Sequence, residues 1–152
     1  MNNKYFTVCG IVKIDNKILF VRHTYGTAKG RILLPGGFVE ENELPARAVE
    51  REIFEETGVT VKANSVFATQ FKLNQWCIVF TTEYICGKPQ SDHNENDEVL
   101  LLDASEAVQR DDITNMSREI LKAYINNKEN VLLKSKYVPL SSNAEEYEIY
   151  GV

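Results

Sequence analysis

The chain lacks any apolar run approaching the ~20 residues that a membrane-spanning helix requires, so nothing in it reads as a membrane anchor. Its first residues, Met1-Asn2-Asn3-Lys4, lack the apolar core of a signal peptide. It is poor in cysteine. Cys9, Cys77 and Cys86 are odd in number, sit in apolar runs and show no metal-ligand spacing, which argues against a disulfide framework or a zinc site. The expected compartment is the cytoplasm. A basic excess is also missing: 17 Lys and Arg face 22 Asp and Glu, and the formal charge is -5. Phosphate backbones demand clustered cations, so a broad nucleic-acid surface is not expected, and removal of RNA caps finds no basic patch to support it. An acidic total still permits a small phosphorylated ligand, because bound metal ions invert the local charge. Internal repeats and low-complexity tracts are absent.

What is present suits one domain. In 152 residues, 43% are apolar and 26% charged, an ordinary balance for a chain with a packed core. Phe6 to Ile14 reads as a strand, Asp15-Asn16 as a turn and Lys17 to Arg22 as a second strand, which together predict a hairpin. Tyr25 to Gly30 reads as a loop. Arg31 to Leu34 is a short apolar run that Pro35-Gly36-Gly37 breaks. A helix is expected over about Glu43 to Thr57, with Asn42 as its cap, Glu43 and Pro45 in the first turn and Gly58 as its stop. Val66 to Lys72 and Trp76 to Cys86 read as strands about a turn at Leu73-Asn74-Gln75. Gly87 to Asp97 is a polar loop, Val99 to Leu102 a short strand and Asp103 a cap for a helical turn through Ala107. Thr114 to Asn126 has helical apolar spacing. Val131 to Val138 predicts a further strand, and the Glu145-Glu146 stretch a loosely ordered tail. Strands, helix, strands, helix in this order predict an α+β fold with a mixed sheet between helices.

The informative stretch is Arg51-Glu52-Ile53-Phe54-Glu55-Glu56-Thr57-Gly58-Val59. At about 100° per residue, Glu52, Glu55 and Glu56 gather within about 100° of helix circumference. Like charges so placed repel, and the C-terminal end of a helix disfavours anions, so helix stability alone does not select this arrangement. A divalent cation reverses the sign, since hard ions bridge carboxylates to substrate phosphates. Ala46, Val49 and Ile53 lie roughly a quarter-turn away, so the carboxylates are expected at the margin of a buried face. Arg51 stands four residues before Glu55 and can pair with it; Glu43 is within reach of Arg47 or Arg51.

Gly37, then Glu43, then Arg51 to Val59 resembles the Nudix box at every defining position. A chance match is on the order of 10⁻⁹ per window, which disposes of a coincidental helix. The resemblance implies the Nudix fold, a mixed sheet sandwiched between helices over residues 1–127, with 128–152 as a C-terminal extension. It implies that Glu52, Glu55 and Glu56, helped by the Gly37 carbonyl, hold Mg²⁺ or Mn²⁺, and that Arg51 and Glu43 orient the cluster. The implied activity is hydrolysis of a diphosphate linkage in a nucleoside diphosphate derivative: a nucleoside triphosphate, ADP-ribose, a dinucleoside polyphosphate or a nucleotide sugar. The alternative is a catalytically weak module that senses a nucleotide metabolite. Relatives take an acidic residue from before a late strand, where Glu98 stands; Glu95, Asp97 and His93 are the other candidates in that loop. Arg22, Lys29 and Arg31 are candidate phosphate contacts. The aromatic residue that many relatives carry before the Leu-Pro-Gly-Gly run is absent here. Phe67, Phe71, Trp76 and Phe80 are candidates for stacking a base. A homodimer through the sheet or the tail is compatible with this reading.

Overall fold

In the computed structural model of the chain, residues 4–136 and 148–151 are described. The strands are β1 (Tyr5–Ile11), β2 (Lys13–Ile14), β3 (Lys17–His23), β4 (Ile32–Leu33), β5 (Gly36–Phe38), β6 (Thr60–Phe71), β7 (Gln75–Cys86), β8 (Asn96–Leu102) and β9 (Leu132–Leu133). The helices are α1 (Pro45–Thr57), α2 (Ala104–Ala107) and α3 (Asn115–Asn127). One sheet runs β5-β1-β7-β6-β9, with β1 and β7 parallel and the other pairs antiparallel. In the second sheet β3 pairs with β8 on one side and with β2 and β4 on the other.

Strand periodicity divides the core in two. Val8, Val12, Leu19 and Phe80 pack with Val49 and Ile53 of α1. Ile11, Phe20 and Val79 face the other way, against Ala107, Ile120 and Leu121 of α2 and α3. The result is the mixed sheet between helices that the order of elements predicts. Among the described residues, no helix is long and apolar enough to cross a membrane.

Local chemistry placed several boundaries correctly. Asp15 and Asn16 both take positive φ, 49° and 64°, the demand of a tight hairpin turn. Gly58 ends α1 at φ 70°, and its N–H reaches Phe54 O at 2.8 Å. Thr114 caps α3 from just outside the helix, accepting from Ser117 N.

Other boundaries differ for identifiable reasons. The expected strand from Phe6 to Ile14 is two strands. The chain leaves the first sheet at Val12, whose carbonyl accepts from Leu19 N at 3.0 Å, and enters the second. Pro35 ends the Arg31 to Leu34 run as expected, with β4 stopping at Leu33, but Gly36–Phe38 is not a loop: it joins the other sheet by pairing with β1. A Cβ at Gly36 would run into the Val8 carbonyl and lie 2.6 Å from Cys9 Cα, so glycine is what lets β5 close on β1. The helix starts at Pro45, and Asn42 is not its cap. Asn42 lies in a preceding turn at φ 62°, and Leu44 is held extended (φ -79°, ψ 146°) as a residue before proline must be. Glu43 is therefore outside the helix. β6 begins six residues earlier than expected because its register shifts at three places, which destroys simple alternation. β8 likewise begins at Asn96 rather than Val99.

Beyond α3, β9 pairs with β6, and the segment from Glu148 to Gly151 returns alongside: Ser135 N donates to Ile149 O and Gly151 N to Leu133 O, both 2.9 Å. The last residues of the expected strand, Tyr137 and Val138, and the Glu145-Glu146 stretch lie outside the described residues.

Candidate active site

The site is built on the second half of α1. Relative to Val49, Ile53 falls about 40° around the helix and Glu56 about 20° the other way. Glu56 thus occupies the apolar stripe itself, while Glu52 and then Glu55 turn progressively toward solvent. Burial follows that order: the side chains of Glu56, Glu52 and Glu55 are 2%, 13% and 56% exposed. The margin expected for all three carboxylates holds for Glu52 and Glu55 and not for Glu56.

Glu56 ends beneath β5. Its Oε2 accepts from Gly36 N at 2.8 Å. Its Oε1 is buried without a hydrogen-bond partner. His23 Nε2 stands 3.5 Å from that oxygen, longer than a well-formed hydrogen bond. Burial pushes the Glu56 carboxyl above its ordinary value, against the lowering effects of His23 and the Gly36 N–H. Glu52 is also pushed up by burial, in opposition to Arg51. Its carboxylate lies against Gly37, where any Cβ would overlap it.

Arg51 is the hub. Its Nε and Nη2 clasp the two oxygens of Glu43 at 2.8 and 2.9 Å. Nη1 reaches Glu52 Oε1 at 2.9 Å and Glu55 Oε2 at 3.1 Å, and Nη2 also donates to Phe38 O at 2.9 Å. The pairing holds Glu43 below the usual carboxylate range. The carboxylates therefore converge on Arg51. Among the described residues, no three acidic, His or Cys side chains close around a single point.

The second sheet completes the site. Arg22 pairs with Glu98 but His23 with Asn96, so Asp97 is the extra residue of a bulge in β8. The bulge turns Asn96 inward, where it is buried and its Nδ2 donates to Glu56 O at 2.8 Å. His23 stacks on Tyr25 with ring centroids 5.3 Å apart, and Tyr25 OH reaches Glu95 Oε2 at 3.4 Å. An open pocket of about 560 Å³ lies above, lined among others by His23, Tyr25, Gly37, Arg51, Glu52 and Glu95.

A family model, the NUDIX domain, matches residues 4–124. The chain belongs to the NUDIX domain family. It is 49% identical over 59 residues to a Methanocaldococcus jannaschii protein named ADP-ribose pyrophosphatase; the match spans 39% of this chain and 35% of that relative's length. The fold is similar to a NUDIX hydrolase from Nitrosomonas europaea (TM-score 0.75, 24% identity, 83% of this chain and 72% of that one). It is also similar to a MutT NUDIX hydrolase from Burkholderia pseudomallei (TM-score 0.71, 20% identity, 79% and 97%). A third is a bifunctional NMN adenylyltransferase/ADP ribose pyrophosphatase from Francisella tularensis, solved with AMP and a manganese ion (TM-score 0.67, 19% identity, 83% and 42%).

Within this NUDIX domain, Glu52, Glu55, Glu56, Arg51, Gly37 and Glu43 come together, and Gly58 closes the helix that carries four of them. The late loop brings Glu95 to the pocket rather than Glu98, Asp97 or His93. Glu98 is bound to Arg22 Nε at 2.8 Å, and Arg22 also holds Asp112 at 2.9 Å, so both belong to a separate ion cluster. Arg31 turns its Nη1 to Ile113 O at 3.4 Å. Lys29 is exposed in the loop beside Gly26, Thr27 and Ala28, which line the pocket. Phe67 packs on Tyr124 and Phe80 is fully buried, whereas Phe71 and Trp76 stay exposed. His23, Tyr25 and Asn96 were missed: each acts across the sheet, and no local motif marks it.

The ion cluster beside the site makes a pH prediction. Arg110 first, then Arg22, holds the Asp112 carboxyl far below its ordinary value. A depressed folded pKa contributes stability that is complete above the unfolded value and is lost as pH falls toward the folded one. The urea midpoints of the wild type and Asp112→Asn should therefore differ at about pH 7 and draw together below about pH 4. A constant difference across that range would mean the charge is not what matters.

Proposed function

We propose that this chain hydrolyses the diphosphate linkage of a nucleoside diphosphate joined to another group, with Mg²⁺ or Mn²⁺ as cofactor. The observation that supports this most is Glu56: a carboxylate on the core face of a helix, half satisfied by Gly36 N–H, with its other oxygen buried and unpartnered. Oxygen donors of this kind, next to Glu52 and beneath an acidic pocket, suit a hard divalent cation. Glu52, Glu55 and Glu56, with the Gly37 carbonyl, would hold it. When bound, such an ion would polarise the phosphoryl group and lower the pKa of its bound water toward neutrality.

The chain's own groups have distinct tasks in this reading. Arg51, fixed by Glu43, draws Glu52 and Glu55 to one side of the pocket. Gly36 N–H and Asn96 anchor the two ends of Glu56. Glu95, oriented by Tyr25 at the pocket mouth, accepts the proton of the attacking water. Lys29 meets substrate phosphate, while Arg22, Arg31 and Glu98 support the loop and strand beside it. The substrate is a small molecule rather than nucleic acid, and the cytoplasm, where free thiols such as the three here persist, is the compartment.

ADP-ribose heads the substrate candidates, because the M. jannaschii relative is named for it. A panel of ADP-ribose, nucleoside triphosphates, dinucleoside polyphosphates and nucleotide sugars tests the proposal. Each is incubated with Mg²⁺ or Mn²⁺ and scored by chromatography for phosphate, pyrophosphate and nucleoside monophosphate. Release of a nucleoside monophosphate from one class, abolished by a chelator, is expected. Binding across the panel with no phosphate released would replace the enzyme with a sensing module.

A further inference from the structure

At one end of the first sheet, β1, β6 and β7 run past the start of α1 and leave their inner face uncovered. Phe6, Phe71 and Trp76 lie there, outside both core clusters. Trp76 meets Phe6 and Phe71 edge-on, at centroid distances of 5.7 and 5.4 Å, so the rings brace one another. They form one wall of an apolar groove of about 580 Å³, with Val39 and Pro45 opposite. Leu73, at the tip of the hairpin between Phe71 and Trp76, is 99% exposed. Tyr5 and Phe38 pack edge-on against each other on the opposite face of the sheet and are no part of this groove. Contiguous apolar surface of this kind on a folded chain marks a contact site.

We propose that this groove docks the β6–β7 hairpin tip of a second copy of this chain, forming a two-fold symmetric dimer. Three features favour that occupant. A two-fold contact is self-complementary, so knob and hole must lie on the same patch, and here Leu73 projects directly beside the groove. The charges are complementary in the same sense. Lys4, whose Nζ sits 4.8 Å from the Trp76 ring centroid, and Lys72, in the hairpin turn, flank the aromatic wall. Glu40 and Glu41 line the opposite rim. A two-fold axis through the groove brings the lysines of each copy to the glutamates of the other. The area is also adequate. An aromatic side chain can bury about 200 Å², and Phe6, Phe71 and Trp76 stand roughly half exposed here beside a bare leucine; together they supply about half of the ~800 Å² per partner that a stable interface needs, and the groove's rim adds to it. A phosphorylated small ligand, by contrast, meets carboxylates at the rim and gains nothing from Leu73.

Trp76 is the only tryptophan in the chain, so its emission reports on this groove alone. Light scattering should give a mass that rises to twice that of one chain with concentration, with Trp76 emission shifting to the blue in parallel. Leu73→Asp, at a side chain free of internal contacts, should stay folded by circular dichroism. It should raise the dimer Kd by on the order of 100-fold, the scale of a buried anchor used twice, and abolish the concentration-dependent shift. A wild type that keeps the mass of one chain throughout overturns the proposal, as does a dimer indifferent to Leu73→Asp. So does an emission shift produced by added nucleotide at the mass of one chain, which would give the groove to a base instead. None of these readouts depends on turnover, so the dimer and the hydrolytic activity stand or fall separately.

Discussion

Glu56→Gln is expected to lower kcat/KM by roughly three powers of ten, about 4 kcal/mol of barrier, while leaving the protein at least as stable as the wild type. The two effects have one cause. Glutamine keeps an oxygen for Gly36 N–H, and it is nearly the same size in a side chain that is 2% exposed. It removes the negative charge that a divalent cation needs from the deepest of the three carboxylates. It also removes the penalty of burying that charge. Burial raises the Glu56 pKa in the folded state, so wild-type stability without metal falls as pH rises from the unfolded value through the folded one. At neutral pH the uncharged variant escapes that loss. Thermal melts without added metal should place Glu56→Gln level with the wild type or above it; added Mg²⁺ or Mn²⁺ should stabilise the wild type more than the variant. Unchanged turnover by the purified variant on its best substrate would remove Glu56 from the chemistry.

That duality was within reach of the sequence and still passed over. The spacing Val49, Ile53, Glu56 puts a carboxylate on the apolar stripe of a helix, yet the three glutamates read more naturally as a polar margin. What local chemistry decides was legible: the Asp15-Asn16 turn, the Gly58 stop, the α3 helix, and the company of Arg51 with Glu52, Glu55 and Glu43. What depends on distant backbone was not. Gly36 reads as a breaker until β1 is seen beneath it, where no Cβ fits. The bulge at Asp97 moves the inward residue from the conspicuous Glu98 to the unremarked Asn96, and no count along the chain shows where a strand will slip. Glu98 and Arg22 drew notice as separate charges and proved to be each other's partners across β3 and β8.

Arg51→Ala should cost about 2 kcal/mol of stability and roughly a hundredfold in kcat/KM. The stability figure lies below what breaking a fully buried ion pair costs, because Arg51 retains 23% exposure. The guanidinium serves three carboxylates at once, and the side chains of Glu43 and Glu52 are only 15% and 13% exposed. Without it they face one another with no cation to separate them. Lysine offers a single point charge in place of a planar fork, so Arg51→Lys should fall between the wild type and alanine, closer to alanine. The sign with pH follows from Glu43. Its folded pKa is depressed, chiefly by Arg51, so Arg51 contributes stability above the carboxylate range and progressively less as pH drops through it. The gap between wild type and Arg51→Ala should therefore narrow below about pH 4. Adding Glu43→Gln to Arg51→Ala should recover part of the loss, because the second change removes a carboxylate that the first left stranded. If the double variant is less stable than Arg51→Ala, or the gap holds constant into acid, then packing by the arginine stem rather than its charge fastens the loop before α1 to the helix.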